Sequence, residues 1–291
     1  MHLFRLALAA ALAVLVALPL LPFAPDAPRA AAQTGGPAAP LSTPPAAPVA
    51  DVFPETGFRL ADERFALYFY ARGGVATFGY PTSRRLFLLG TPVQFFQRHV
   101  MQLQGDGRVT LLNLLDPGLL PFTSFGDATL PEPAPDLALG APLPGSANYA
   151  DAASFFVATT VPNDWGGVPV GFLDAFLAPG RAAGAPDPIS QVLIGLELFG
   201  FPTSRPAADP DNATFVYQRF QRTVLHYDAT TRRTQPLLLA DYLKALLTGH
   251  NVPPALAAQA AAAGSPFVGQ YNPARPGWLL RPELLPGTDL S

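Results

Sequence analysis

The sequence predicts an α+β fold made of two related lobes, each with a helix, an FG[YF]P turn and an antiparallel β-hairpin. Three observations support this prediction. The hexamer FGYPTS at 78–83 returns as FGFPTS at 199–204. The order Q-x-F-Q-R-x-V follows both copies, and runs with helical and strand-like periodicity alternate around them. Additional C-terminal helices and an irregular tail complete the predicted fold.

Composition divides the chain into five parts. We expect a signal peptide at 1–32, a linker at 33–50, a first lobe at 51–126, a connector at 127–147, and a second lobe with C-terminal helices and tail at 148–291. The linker QTGGPAAPLSTPPAAPVA has no charge and too little apolar surface to bury a core.

The N-terminus has the features of a secretory signal. Arg5 precedes an apolar run at 6–18, and an A-x-A pattern ends at Ala32, which predicts cleavage between Ala32 and Gln33. The alternative is an uncleaved anchor, because the apolar stretch 6–23 approaches the length of a membrane span. After cleavage we expect no transmembrane segment and a secreted or cell-surface protein.

Charge and cysteine content exclude several classes of function. The chain has no cysteine, which excludes disulfides, thiolate metal sites and a cysteine nucleophile. Its net charge is −3, and loss of Arg5, Asp26 and Arg29 with the signal leaves 16 basic and 20 acidic side chains, or −4. We expect no nucleic-acid partner, because the sequence has no basic stripe.

Local patterns predict the elements of the first lobe. The segment ADERFALYFYARGG predicts a short helix with Asp62 as N-cap and Gly73 as its stop. Two strand-like runs follow, TPVQFFQRHVMQLQ and RVTLLNLL, and the GDG at 105–107 predicts a hairpin turn between them. Residues 116–146 are rich in proline and glycine and predict an irregular connection.

The second lobe follows the same logic. GVPVGFLDAFL (167–177) predicts a helix, and ATFVYQRFQRTVLHYDATT predicts strands. PLLLADYLKALLTG predicts a helix from Pro236 to Gly249, with a polar stripe at Asp241, Lys244 and Thr248 and its leucines inward. PPALAAQAAAAG predicts a further helix, whereas the tail is too rich in proline for regular structure.

Alignment of the two copies, with three inserted residues in the second, identifies matched positions. Strand alternation predicts that the first glutamine, the phenylalanine, the arginine and the valine share one face. The pairs are Gln94 with Gln218, Phe96 with Phe220, Gln97 with Gln221, Arg98 with Arg222, and Val100 with Val224.

An arginine on an apolar strand face needs partners for its donors. One hypothesis is that the arginines and first glutamines line a polar groove for a carboxylate or a sugar. The alternative is that each arginine binds turn carbonyls or a carboxylate such as Glu63 or Glu197. The candidate groove residues are Gln94, Arg98, Gln218 and Arg222.

Two tryptophans lie outside the predicted regular structure. Trp165 is in the loop PNDWGG and Trp278 is in the tail. Exposed aromatic rings stack on sugars, so both are candidate ligand contacts, and the alternative is that they anchor loops to a phenylalanine-rich core.

No catalytic pattern stands out. The chain has no G-x-S-x-G elbow and no H-E-x-x-H, so the sequence predicts no enzyme, no metal and no cofactor. Paired carboxylates for glycan cleavage stay an alternative, because the two can come from distant positions. The available acids are Asp62, Glu63, Asp164, Asp174, Glu197 and Asp241.

Several segments resemble a group of secreted repeat proteins from Chloroflexi-type bacteria, over most of residues 52–290. They are VFPETGF, GGVATFGYPTS, VQFFQR and FVYQRFQRTVLHYDATT…LLLADYLKALLTG. The turn is similar to the LGFP repeat of actinobacterial envelope proteins, which implies attachment to the cell wall. This chain departs from that repeat by having phenylalanine for leucine and only two copies.

The sequence therefore predicts a secreted, non-catalytic binding or scaffold protein of the cell envelope. The resemblance implies a cell-wall polysaccharide, peptidoglycan or another envelope protein as partner. The alternatives are a secreted hydrolase of glycans or peptides that uses paired carboxylates, and a purely structural surface protein.

Overall fold

The computed structural model describes residues 52–270 and confirms the α+β class. The signal cleavage site, the linker, Trp278 and the rest of the tail lie outside the described residues. The helices are α1 Glu63–Ala71, α2 Gly74–Phe78, α3 Pro135–Gly140, α4 Tyr149–Thr160, α5 Phe172–Ala182, α6 Pro188–Phe199, α7 Leu239–Thr248, α8 Pro254–Ala261 and α9 Pro266–Gln270. The strands are β1 Leu86–Leu88, β2 Thr91–Phe95, β3 Val100–Leu103, β4 Val109–Leu111, β5 Ser124–Phe125, β6 Ala128–Thr129, β7 Ala207–Ala208, β8 Phe215–Arg219, β9 Val224–Asp228 and β10 Arg233–Pro236.

Both copies of the motif form the same antiparallel sheet. The strand orders are β1-β2-β3-β4 and β7-β8-β9-β10, and β5 pairs with β6 separately. The central hairpins end at matched pairs, Phe95 opposite Val100 and Arg219 opposite Val224. The proline of each turn motif also bridges to the matched phenylalanine of its hairpin. The duplicated sequence therefore has a duplicated backbone.

The second glutamine of each motif fastens the FG[YF]P turn to its hairpin. Gln97 Oε1 accepts a hydrogen bond from the Tyr80 N–H at 3.0 Å, and the Gln97 N–H donates to the Tyr80 carbonyl at 3.1 Å. Gln221 makes the same two bonds to Phe201, at 3.0 and 3.1 Å. In each copy, the glutamine side chain and the glutamine N–H together form two hydrogen bonds with one residue of the turn.

This contact requires glycine in the turn. Gly79 and Gly200 have φ values of 74° and 76°, which side chains rarely adopt. A Cβ at Gly79 would lie 2.7 Å from the Gln97 Cβ, and one at Gly200 would lie 2.6 Å from the Gln221 Cβ. The FG dipeptide is therefore needed for close approach as well as for the backbone angle.

The hairpins correct one sequence prediction. TPVQFFQRHVMQLQ is not one strand, because Gln97 and Arg98 form a two-residue turn between β2 and β3. The Phe96 N–H donates to the His99 carbonyl at 2.9 Å and closes this turn. The predicted sharing of one face from Gln94 to Val100, and its counterpart in the second copy, is therefore wrong.

The segment that follows each hairpin docks on the other copy. The Leu115 N–H, after β4, donates to the carbonyl of Gln221, and the Asp241 N–H, after β10, donates to the carbonyl of Gln97. Both distances are 3.2 Å. The two copies therefore exchange equivalent contacts.

A second pair of exchanged contacts reaches the turn motifs. The Ala134 N–H donates to the Thr203 carbonyl at 2.7 Å, and Lys244 Nζ donates to the Thr82 carbonyl at 2.8 Å. The threonines occupy the same motif position, yet one donor is a backbone amide and the other an ammonium. We refer to these four hydrogen bonds as the exchanged contacts.

The hydrophobic interior follows this exchange. One cluster contains Phe95 and Val100 of the first copy with Val224 of the second and the leucines of α7. The other cluster contains Phe96 and Phe220, the matched phenylalanines. The described residues, 52–270, form one compact unit. Each copy of the motif forms its own four-stranded sheet, and both clusters contain residues of both copies.

Several helix ends and turns that were predicted from local sequence patterns are confirmed. Asp62 caps α1 by accepting from the Arg64 N–H, and Gly249 ends α7 with φ 74°. The turn at 105–107 joins β3 to β4, and α8 forms as predicted. The leucines of α7 are buried.

Other elements differ from the predictions. Pro236 ends β10 rather than beginning a helix, because β10 is an edge strand that tolerates a residue without N–H. The α5 helix begins at Phe172 rather than 167. The stretch 116–146 contains β5, β6 and α3, and α9 begins in the tail, so neither segment is irregular throughout.

No helix in the span 52–270 has the length and apolar character needed to cross a membrane.

His99 lies buried at the junction of the two copies. Its ring centroid is 5.6 Å from that of Phe78 and 6.3 Å from that of Phe199. Burial, together with the positive charges of Arg98 and Arg222, lowers the pKa of His99 to about 3. His99 is therefore neutral in the folded protein at ordinary pH.

We predict that Gly200→Ala lowers the free energy of unfolding by at least about 2 kcal/mol, because it adds strain at positive φ and a clash with Gln221. Gly145→Ala is the matched control, since Gly145 has φ 83° and nothing within 4 Å of its added Cβ. Urea unfolding measures both variants. Equal losses would contradict a specific role for close approach.

We predict that acid destabilises the protein partly through His99. Because its folded pKa of about 3 lies below its unfolded value of 6.5, the unfolded state takes up the extra proton between these values. As the pH falls from 6.5 to about 3, the free energy of unfolding should decrease by on the order of a few kcal/mol. His99→Gln should flatten this dependence relative to the wild-type chain, as measured by urea titrations at several pH values. Equal slopes would contradict the assignment.

Candidate functional site

The first glutamine of each motif is buried and bonded to backbone. Gln94 and Gln218 are 0% exposed. Gln94 Nε2 donates to the Ser83 carbonyl at 2.9 Å, and Gln218 Nε2 donates to the Ser204 carbonyl at 3.2 Å. These amides hold the end of the turn motif, and they present no surface to a ligand in this structure.

The arginines bind helix carbonyls. Arg98 Nη1 donates to two carbonyls of α2, at 2.9 and 3.2 Å. Arg222 Nη1 donates to two carbonyls of α6, at 2.7 and 3.1 Å. The guanidinium adds hydrogen bonds and a favourable charge at the C-terminus of each helix. The Val75 and Leu196 carbonyls also accept from the N–H groups of Gly79 and Gly200, each at 2.9 Å. This geometry agrees with the structural alternative, with helix ends as the carbonyl source.

The predicted site residues within 52–270 have different surroundings. Trp165 is half-buried, pairs with Val168 and packs against the second hydrophobic cluster. Arg98 and Arg222 belong to separate hairpins. Arg222 differs from the others because it also lines a cavity between the copies, which we call the inter-repeat cleft.

The inter-repeat cleft has a volume of about 280 Å³. Elements from both copies form it, namely α1 and β4 of the first and α4, α6 and the β8–β9 turn of the second. Its apolar lining is Val109, Leu111, Leu193 and Leu196. Its polar lining is Tyr68, Thr110, Tyr149, Glu197 and Arg222. Both kinds of surface therefore face one small volume.

An ion pair across the copies fixes one side of the cleft. Arg72 Nε and Nη2 donate to the two carboxylate oxygens of Glu197, each at 3.0 Å. The Arg72 guanidinium carbon lies 5.7 Å from the Tyr68 ring centroid. Planar bidentate pairing of this kind restrains the carboxylate direction. The Glu197 side chain thus pairs with Arg72, and the Glu197 backbone carbonyl accepts a hydrogen bond from Arg222.

The charges in the cleft compensate each other. Burial lowers the pKa of Arg222, and the nearby Tyr68, Asp116 and Glu197 oppose that change. Burial raises the pKa of Asp116, which the charge of Arg222 opposes. Burial and the neighbouring Glu197 raise the pKa of Tyr68, so its phenol stays neutral. In the lining of the cleft, the charge of Arg222 is therefore opposed by that of Glu197.

Sequence reasoning missed Tyr149, Thr110 and the cleft role of Tyr68. Tyr68 lies in the helix predicted from ADERFALYFYARGG, and no helix is predicted at the position of α4. The sequence carries no local signal for the cleft, because its residues lie between positions 68 and 222 and meet only through the shared core.

A second cavity, of about 570 Å³, lies along the predicted polar stripe of α7. Asp241, Lys244 and Thr248 line it, with Tyr242 and His250. Burial raises the pKa of Asp241 to about 6, and Lys244 opposes the change. Because Asp241 and Lys244 also make exchanged contacts, this stripe belongs to the joint between the copies.

Within residues 52–270, no three histidine or acidic side chains come close enough together to hold a metal ion. Comparison of the chain with protein-family models, curated proteins and solved structures gave no significant match.

Proposed function

We propose that this chain is a secreted, non-catalytic binding or scaffold protein of the cell envelope, with the inter-repeat cleft as its recognition site. One observation carries the proposal. The polar side chains copied with the motif bond to backbone within the fold, whereas the cleft between the copies is also lined by the partly exposed Tyr149 and Glu197, which are not part of the copied motif. In this proposal each copy of the motif has a structural role, and the ligand binds in the cleft between the two copies.

The resemblance to envelope repeat proteins supports a cell-wall partner. A partner anchored in the wall would need a site on the outside of a rigid unit. The cleft meets this need because α1, β4 and α6 are all held by the second hydrophobic cluster. Cell-wall polysaccharide and peptidoglycan are the partners that we propose first.

A secreted glycan hydrolase is the second candidate, and one observation favours it. Glu197 lines the cleft, and Asp116, whose pKa is raised, interacts with the same arginine. Glycosidases use one carboxyl with a raised pKa as acid and a second as nucleophile or base. Against this, both oxygens of the Glu197 carboxylate already accept hydrogen bonds, from Nε and Nη2 of Arg72.

We predict that residues 33–291 sediment with bacterial cell-wall sacculi at low salt and release no soluble fragments. Sedimentation is measured on gels, and the supernatants are examined by mass spectrometry. Glu197→Gln and Asp116→Asn serve as matched variants, because loss of either acid would stop a carboxylate-dependent hydrolase. Protein that stays in the supernatant at low salt would contradict wall binding, and fragments that depend on either acid would establish the hydrolase instead.

A further inference from the structure

We propose that the inter-repeat cleft binds one uncharged pyranose unit of a saccharide, because apolar side chains, two phenols and a charge-compensated polar end share one small volume. This inference rests on the proposed binding function and specifies the ligand class.

The lining matches the two kinds of surface on a sugar ring. A pyranose has an apolar C–H face and a rim of hydroxyl groups that donate and accept hydrogen bonds. The cleft supplies apolar surface from Val109, Leu111 and Leu193, and hydroxyls from Thr110 and Tyr149. Binding pockets commonly combine such apolar lining with a few convergent polar groups.

The charges favour an uncharged ligand. The charged residues in the lining of the cleft are Glu197 and Arg222, and their formal charges sum to zero. The whole chain has a net charge of −3, which gives no attraction for an acidic polymer. An acidic sugar would have to compete with Glu197 for Arg72 and with helix carbonyls for Arg222.

The volume sets the size of the bound unit. At about 280 Å³ the cleft lies just below the usual range for drug-sized ligands, roughly 300–1,000 Å³. One ring fits such a volume, and neighbouring rings of a polymer would extend into solvent past Tyr149, which is half-buried at the start of α4.

The test is isothermal titration of the full mature chain, residues 33–291, with defined pentasaccharides. Cellopentaose, maltopentaose and mannopentaose are the uncharged probes, and pentagalacturonic acid is the charged probe. We expect at least one uncharged probe to bind, with an affinity that does not change between about 50 and 500 mM salt, because no net charge is neutralised.

The variants locate the site. Tyr149→Ala should weaken binding by at least about tenfold, as expected for truncation of an aromatic contact. Tyr149→Phe should keep most of the affinity if the ring provides the contact. Tyr70→Ala is the matched control, since Tyr70 is 50% exposed on α1 and outside the cleft. Thr110→Val provides an independent variant should Tyr149→Ala fail to fold.

The possible results separate this inference from the proposed function. Binding that is equal in Tyr149→Ala, Thr110→Val and the wild-type chain would overturn the cleft as the site. Binding of pentagalacturonic acid alone would overturn the ligand class. Sedimentation with sacculi without binding of any pentasaccharide would overturn this inference and leave the proposed function standing, whereas loss of both would overturn both.

Discussion

The fold depends on the contact between a glutamine side chain and the backbone of an FG[YF]P turn. The side-chain oxygens of Gln97 and Gln221 accept hydrogen bonds from backbone N–H groups of the two turns. Each oxygen can reach the turn only because Gly79 and Gly200 have no Cβ. The glutamine and the glycine are therefore one unit of structure, which explains why the sequence repeats both together.

Duplication of this unit created a joint that neither copy forms alone. The exchanged contacts place the segment after each hairpin on the other copy, and the phenylalanines of both copies pack in common clusters. Burial of each phenylalanine contributes roughly 1.5–3 kcal/mol, so separating the copies would expose a large part of the stabilising surface. The inter-repeat cleft is a consequence of this joint, since both copies contribute to its lining.

The sequence was sufficient for the class of fold, for the repeated motif and for those helix ends that have a local capping residue, such as Asp62 and Gly249. The sequence was insufficient where contacts between distant residues determine the secondary structure. The Gln97-Arg98 turn resembles the interior of a strand, and the edge position of Pro236 depends on which strands pair. The cleft also could not be predicted from the sequence, because Tyr68, Tyr149 and Arg222 line one cavity only in the folded chain.

Native-state hydrogen exchange tests most directly whether the two copies form one cooperative unit. The Phe95 N–H donates to Ser83 Oγ and the Arg219 N–H donates to Ser204 Oγ, both buried and both at 2.9 Å. If the exchanged contacts make the copies interdependent, both amides should exchange with the same free energy of opening, equal to that of global unfolding. An opening free energy lower by about 2 kcal/mol or more at one of them would show that its copy unfolds independently, and would contradict the account.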